Sequence, residues 1–243
     1  KKEFKANKVT SYVIKDNSRP TTLKKRYRSK GKTLLRVSDL SENSINIEIQ
    51  NKIIRRVKKI IKKIDLIIFS DFNYGVLPQP LVDSIITLAK ENSVMVAADS
   101  QSSSQTGDIS RFLDADLITP TEREARISLR DNQIGLVRLA DKLLNKTLAK
   151  NILLKLGEEG ILVHPGKENT NNEVTDRIGA LNQSPKDVAG AGDSLLVSSS
   201  LALLCGSNIW EASYIGSIAA SIQVGRVGNT PIQFKEIVDQ IKD

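Results

Sequence analysis

Polar and apolar residues follow two rhythms along this chain, and the change between them falls near residue 45. Before it, the two kinds alternate every second residue, the period of a strand wetted on one face. Lys8 to Ile14 and residues 21 to 38 are therefore predicted strands, the latter as Thr21–Arg28 and Thr33–Val37 joined by a turn at Lys30-Gly31-Lys32. Beyond residue 45, amphipathic segments alternate with short runs that are apolar throughout, as strands covered on both sides require. Ile53, Ile54, Val57, Ile60, Ile61 and Ile64 recur at helical spacing, and Asp65–Ser70 follows as a buried strand. Pro78 and Pro80 open a helix running to about Glu91, and Val94–Ala98 is the next strand. The pattern continues with a strand at Asp116–Pro120, a helix over roughly 133–145, and strands at Asn151–Leu156 and Ile161–His164. A last strand lies around 173–180, and helices follow, one behind residue 193 and one from Trp210 to Val224. An α/β domain is predicted, with lid strands over 8–38 and a core over 45–243.

Composition narrows the class without naming the chemistry. With 243 residues, 40% hydrophobic and 26% charged, the chain can bury a sizeable core. Its net charge of +8 is concentrated at Lys24–Arg28 and Lys52–Lys63. In the second run the basic residues fill the gaps of a helical apolar stripe and lack interleaved aromatics, so they read as a wet helix face; a nucleic-acid or acidic-membrane surface is the other reading. No apolar run reaches the roughly 18 to 20 residues of a membrane span, and the basic N-terminus has no apolar segment behind it. Cys205 is the single cysteine, which excludes an intrachain disulfide and suits a reducing, cytoplasmic compartment. With Lys at position 1 and Met95 the single methionine, the sequence reads as lacking its own start.

The chemistry is concentrated in Asp187-Val188-Ala189-Gly190-Ala191-Gly192-Asp193-Ser194, a small-residue turn that opens onto an apolar helix. Gly190 and Gly192 allow the N–H groups of Ala191, Gly192 and Asp193 to converge at a helix N-terminus, a favourable place for an anion. An acidic residue there needs a reason. Asp193 either caps the helix or accepts a proton from a hydroxyl that attacks a bound phosphoryl group. Elsewhere, local readings suffice: Thr121 with Glu124 makes a capping box, Gly157 and Gly160 make a hairpin turn, Asp99–Gln105 is a solvated polar loop, and His164 is structural.

The turn closely resembles the C-terminal Asp-Thr-Thr-Gly-Ala-Gly-Asp motif of the ribokinase-like, phosphofructokinase-B type carbohydrate kinases, with Ser198 where that family commonly has Gly or Ala. The resemblance implies a three-layer ribokinase-like sandwich with a mostly parallel central sheet, a small β lid and a missing N-terminal part. It implies Asp193 as general base and Gly190, Ala191 and Gly192 as the anion hole. Glu124 matches a glutamate that acts through water on magnesium, with Thr121 in place of the family's Asn. Lys155, Gly157 and Gly160 match a turn lying along ATP, and Ala220 belongs to a small-residue helix under the adenine. Asp187 and Val188 match a monovalent cation site, such as one for potassium. Arg19-Pro20-Thr21-Thr22 with Leu34–Val37, and Ser70-Asp71-Phe72-Asn73-Tyr74-Gly75, are similar to the lid and a strand end of the heptose phosphate kinase branch, with Tyr74 for a Lys. Asp71, Asp99 and Arg19 are accordingly expected to face the sugar, and the lid to form a homodimer. The alternative is a catalytically silent nucleotide-binding or interaction module of the same fold. No P-loop and no Gly-x-Gly-x-x-Gly after a first strand is present.

Overall fold

The computed structural model describes residues 2–29, 32–102, 106–166 and 174–242. A short helix α1 (Lys2–Ala6) precedes a two-stranded antiparallel lid of β1 (Leu23–Ser29) and β2 (Lys32–Asp39), bulged at Tyr27 and Arg28. The core follows as α2 (Ile47–Ile60), β3 (Leu66–Asp71), α3 (Gln79–Glu91), β4 (Met95–Ser100), β5 (Leu117–Ile118), α4 (Glu122–Leu129), α5 (Leu136–Thr147) and β6 (Asn151–Lys155). It closes with β7 (Ile161–Pro165), β8 (Asp176–Ile178), α6 (Ala191–Leu204), α7 (Ile209–Val224) and α8 (Phe234–Lys242).

The strands form one sheet in the order β3-β4-β5-β6-β7-β8. β3 to β6 run parallel; β7 and β8 return antiparallel. Period-two alternation sorts their side chains into two cores. Phe69, Val96, Ala98, Ile118, Ile152, Leu154 and Leu162 pack under α2 to α5. Their neighbours Ile68, Ala97, Leu117, Leu153, Ile161 and Val163 pack against α6 and α7. Both faces of the central strands are thus dry, which is why β5 and the middle of β4, β6 and β7 are apolar without interruption, whereas β8 at the edge is polar and exposed. Among the described residues β3 pairs with β4 alone, and a groove of about 510 Å³ runs beside it, lined by Val57, Ile60, Ile64, Ile67 and Tyr74 among others.

On α2, Asn46 caps by accepting from the Ile49 amide at 2.9 Å, and Lys52, Arg55, Lys58 and Lys59 are exposed, the wet face expected of them. No helix among the described residues is long and apolar enough to cross a membrane.

The strand expected at 8–14 does not form. The Val9 amide turns back to the Phe4 carbonyl at 2.7 Å, and residues 9–16 have no ladder partner among the described residues. The Arg56 guanidinium lies 3.4 Å from the centre of the Tyr12 ring, so this stretch is pinned to α2 by a cation–π contact. Alternation alone makes a strand only where an edge is present to receive it. Part of the expected lid turn, Lys30-Gly31, lies outside the described residues, as do Ser103–Gln105 and the polar loop at 168–172.

Candidate active site

Strands β3, β4 and β6 end on the same side of the sheet, and that side receives the chemistry. β3 ends at Asp71, Asp99 is next to last in β4, Lys155 is the last residue of β6, and Glu124 lies in the first turn of α4 behind β5. Asp193 sits half-buried in the first turn of α6.

The turn before α6 is held open by its glycine. Gly190 is the N-cap at φ 83°, a conformation strained for a residue with a side chain, and a Cβ there would stand 2.1 Å from Asn229 Oδ1. Gln223, buried on α7, donates to the carbonyls of Ala189 and Gly228 at 3.2 and 3.0 Å and clasps the turn from behind. The Ser194 amide begins the helix ladder on Gly190 at 2.9 Å, and the Ala191 amide reaches the Val188 carbonyl at 3.4 Å. Among the described residues, the Gly192 and Asp193 amides have no protein acceptor. Of the three amides expected to converge here, that of Ala191 is engaged within the turn and those of Gly192 and Asp193 are left. Among the described residues the Asp193 side chain caps no amide; its Oδ1 accepts from Gln101 Nε2 at 3.5 Å.

Beneath the turn, Lys155 Nζ reaches both carboxylate oxygens of Asp99, at 2.9 and 3.0 Å. Asp99 is 2% exposed. Burial pushes its carboxyl above the ordinary value, Lys155 pulls it back, and the nearby Glu124 and Asp193 charges push it up further. Glu124 is buried, accepting from Ser102 N at 2.9 Å and from Thr121 N at 2.7 Å, while Thr121 Oγ1 accepts from Glu124 N at 3.2 Å. The capping box is present, and its glutamate also ties down the loop after β4. That loop was expected to be solvated. Instead Gln101 and Ser102 are half-buried, with the Gln101 amide donating to the Asp71 carbonyl at 2.8 Å. Gln101 thus bridges the end of β3 to Asp193, a role its setting in a Ser/Gln-rich stretch concealed.

The other expected residues divide. Asp71 is buried, accepting from Asn73 N at 3.0 Å and facing Arg111 at 3.6 Å. Arg19 donates to the carbonyls of Asn43 at 3.0 Å, Ser41 at 2.6 Å and Tyr74, fastening the lid connection to the loop after β3. Lys155, expected along the nucleotide, sits on Asp99. Gly160, at φ 90°, would place a Cβ 2.1 Å from the Ile178 carbonyl, so the hairpin alone accounts for it; Gly157, at φ 66°, faces open space. Ala220 packs against the α6–α7 core, and Asp187 accepts from Ala189 N at 3.2 Å and Gly228 N at 3.4 Å beside the exposed Val188. His164 is buried against Thr175 Oγ1 at 2.7 Å. Lys24 of the lid, not singled out in the sequence, lies 5.0 and 4.9 Å from the ring centres of Phe72 and Tyr74.

This architecture recurs in solved structures. Ribokinase from Giardia lamblia superposes with a TM-score of 0.76 at 20% identity, over 99% of this chain and 77% of that one. Ribokinase from Thermotoga maritima gives 0.72 at 19% identity over 100% and 76%, and phosphofructokinase-2 from Escherichia coli in complex with potassium gives 0.68 at 16% over 84% and 65%. The fold is the ribokinase-like α/β sandwich. Within that class, the model of the pfkB family carbohydrate kinases matches residues 1–234, and the chain belongs to that family. Curated relatives include the bifunctional protein HldE of Helicobacter hepaticus, 31% identical over 95% of this chain, and that of Aliarcobacter butzleri, 32% identical over 95%. The chain spans 46% and 47% of their lengths, less than half of either.

Proposed function

We propose that this protein transfers the terminal phosphoryl group of ATP to a hydroxyl of a sugar or sugar phosphate, in the manner of a heptose phosphate kinase. The observation that carries the reading is a half-buried carboxylate, Asp193, beside two backbone amides without protein acceptors at the head of α6. Asp193 takes the proton of the acceptor hydroxyl as its oxygen bonds to phosphorus and the bond to the departing ADP breaks. The Gly192 and Asp193 amides meet the charge that spreads over the phosphoryl oxygens. Gln101 orients Asp193, and Asp71 and Asp99 lie on the acceptor side.

Magnesium fits this site as a hydrated ion held jointly with the nucleotide. Glu124, Asp99 and Asp193 offer hard oxygen donors, and among the described residues no group of three or more His, Cys, Asp or Glu forms a ready cage. Glu124 would hold the ion through water; when bound, it supplies charge neutralisation along the phosphates. Asp187 and Val188 are the residues for a monovalent cation. Gly157 and Gly160 on one side and Ala220 on the other would flank the nucleotide. The lid leaves Tyr27, Leu35 and Val37 exposed on one face, a surface suited to a second copy of the chain.

The test is ATP turnover by the complete polypeptide over a panel of sugars and sugar phosphates. Asp193→Asn is expected to lower kcat by about 10² to 10⁴ while ATP binding persists. Unchanged turnover in that variant overturns the assignment.

A further inference from the structure

We propose that Asp99 is a competing counter-ion for Lys155, and that the Lys155 ammonium is the cation a phosphoryl oxygen at the α6 turn draws onto itself. The inference rests on the reading that this turn receives a phosphoryl group, and it adds a cation that the amides alone do not supply.

Three observations converge. The ammonium lies 3.3 Å from the point a Cβ on Gly192 would occupy, so it stands directly against the turn whose amides lack acceptors. It is held by both Asp99 oxygens, which engage two of its three donors and leave the third. Asp99, which holds it, is close enough to Glu124 and Asp193 to feel both charges, and among the described residues no other Lys or Arg pairs with any of the three. A phosphoryl group entering so acidic a place meets repulsion from the carboxylates, which a protein cation turned toward it offsets alongside magnesium and, where no metal is present, by itself.

Lys155 can turn. Its backbone is fixed at the end of β6, with its amide on the Pro120 carbonyl at 2.8 Å, while its four-carbon stem lets the ammonium shift by an ångström or two. Asp99 has no such freedom, being 2% exposed on a central strand. The pair therefore presets the ammonium beside the turn and yields it to a stronger anion.

Calorimetric titration of the full chain with inorganic phosphate at fixed ionic strength tests this without any turnover. Asp99→Asn, which removes the competitor, is expected to tighten phosphate binding about tenfold, and Lys155→Met to weaken it by at least as much. The double variant, which carries no unpaired charge and serves as the folded control, should bind as weakly as Lys155→Met. Where Lys155→Met alone does not fold, the comparison of Asp99→Asn with the double variant decides. The proposal is overturned if Asp99→Asn binds no tighter than the unaltered chain, or if the double variant binds as well as Asp99→Asn. Loss of turnover in Asp193→Asn speaks to the base alone. A base that fails that assay leaves the phosphate titration standing on its own.

Discussion

Replacing Lys155 with Met isolates the energetics of the buried pair. Asp99 is 2% exposed and both of its oxygens lie on the ammonium at 2.9 and 3.0 Å, so the variant leaves a carboxylate sealed away with no cation. Breaking a buried pair from one side costs about 3 to 5 kcal/mol. In a domain of this size each kcal/mol moves the melting temperature by about 2 to 4 °C, so a fall of about 6 to 20 °C is expected near neutral pH. The loss is not uniform in pH. Burial raises the Asp99 carboxyl, so the folded state holds its proton more tightly than the unfolded chain does. That contribution is complete below the ordinary carboxylate range and is lost as pH rises through the raised value. Lys155 pulls the carboxyl down, and without it the titration moves higher still. The gap between variant and parent should therefore widen as pH rises through the raised Asp99 value and shrink on acidification, where both carry a neutral Asp99. Thermal melts as a function of pH, with Lys155→Met/Asp99→Asn alongside, check it. A constant offset at every pH, or a double variant as weak as the single one, refutes the electrostatic account.

Two further changes probe how the site is framed. Thr121→Ala removes the side chain that caps α4, where its oxygen accepts from Glu124 N at 3.2 Å; urea denaturation should show a loss of about 1 kcal/mol. Gly216→Ala places a Cβ 2.0 Å from Ser199 Oγ and 2.9 Å from Leu195 Cδ1, forcing α6 and α7 apart. A loss of about 1 to 3 kcal/mol is expected in the same assay, with turnover falling because α6 carries the turn.

The core was legible because burial on both faces leaves a simple trace. Runs such as Leu66–Phe69 and Ile152–Leu154 can be dry on both sides only inside a covered sheet, and their neighbours sort residue by residue onto α2–α5 or α6–α7. The lid was less legible. Its β1 and β2 strands alternate as Lys8–Ile14 does, yet only they find a partner, and the stacking of Arg56 on Tyr12 is a contact between distant residues that no local pattern encodes. The helix expected from 133 begins at Leu136, since Gly135 provides the cap after a loop the periodicity does not mark.

The site shows where such reading stops. Gly190 and Asp193 were visible because they fall in a short run of small residues whose pattern resembles a known turn; that the Asp193 side chain is not used as a cap among the described residues came only with the structure. Gln101 carried no such mark, and Lys155 was marked only as a residue along the nucleotide. Each sits in a segment with an adequate local explanation, a strand end and a polar loop, and their importance comes from what other elements bring to them. Asp99 arrives from β4, Glu124 from α4, and Asp193 from α6 some forty residues beyond Lys155. Three carboxylates near enough to act on one another, one of them paired with an ammonium, are a product of topology, since parallel strands separated by helices deliver their C-terminal ends to one place whatever lies between them in sequence. A charge balance of that kind is a property of the assembled sheet, and it becomes readable only when the strand order is known.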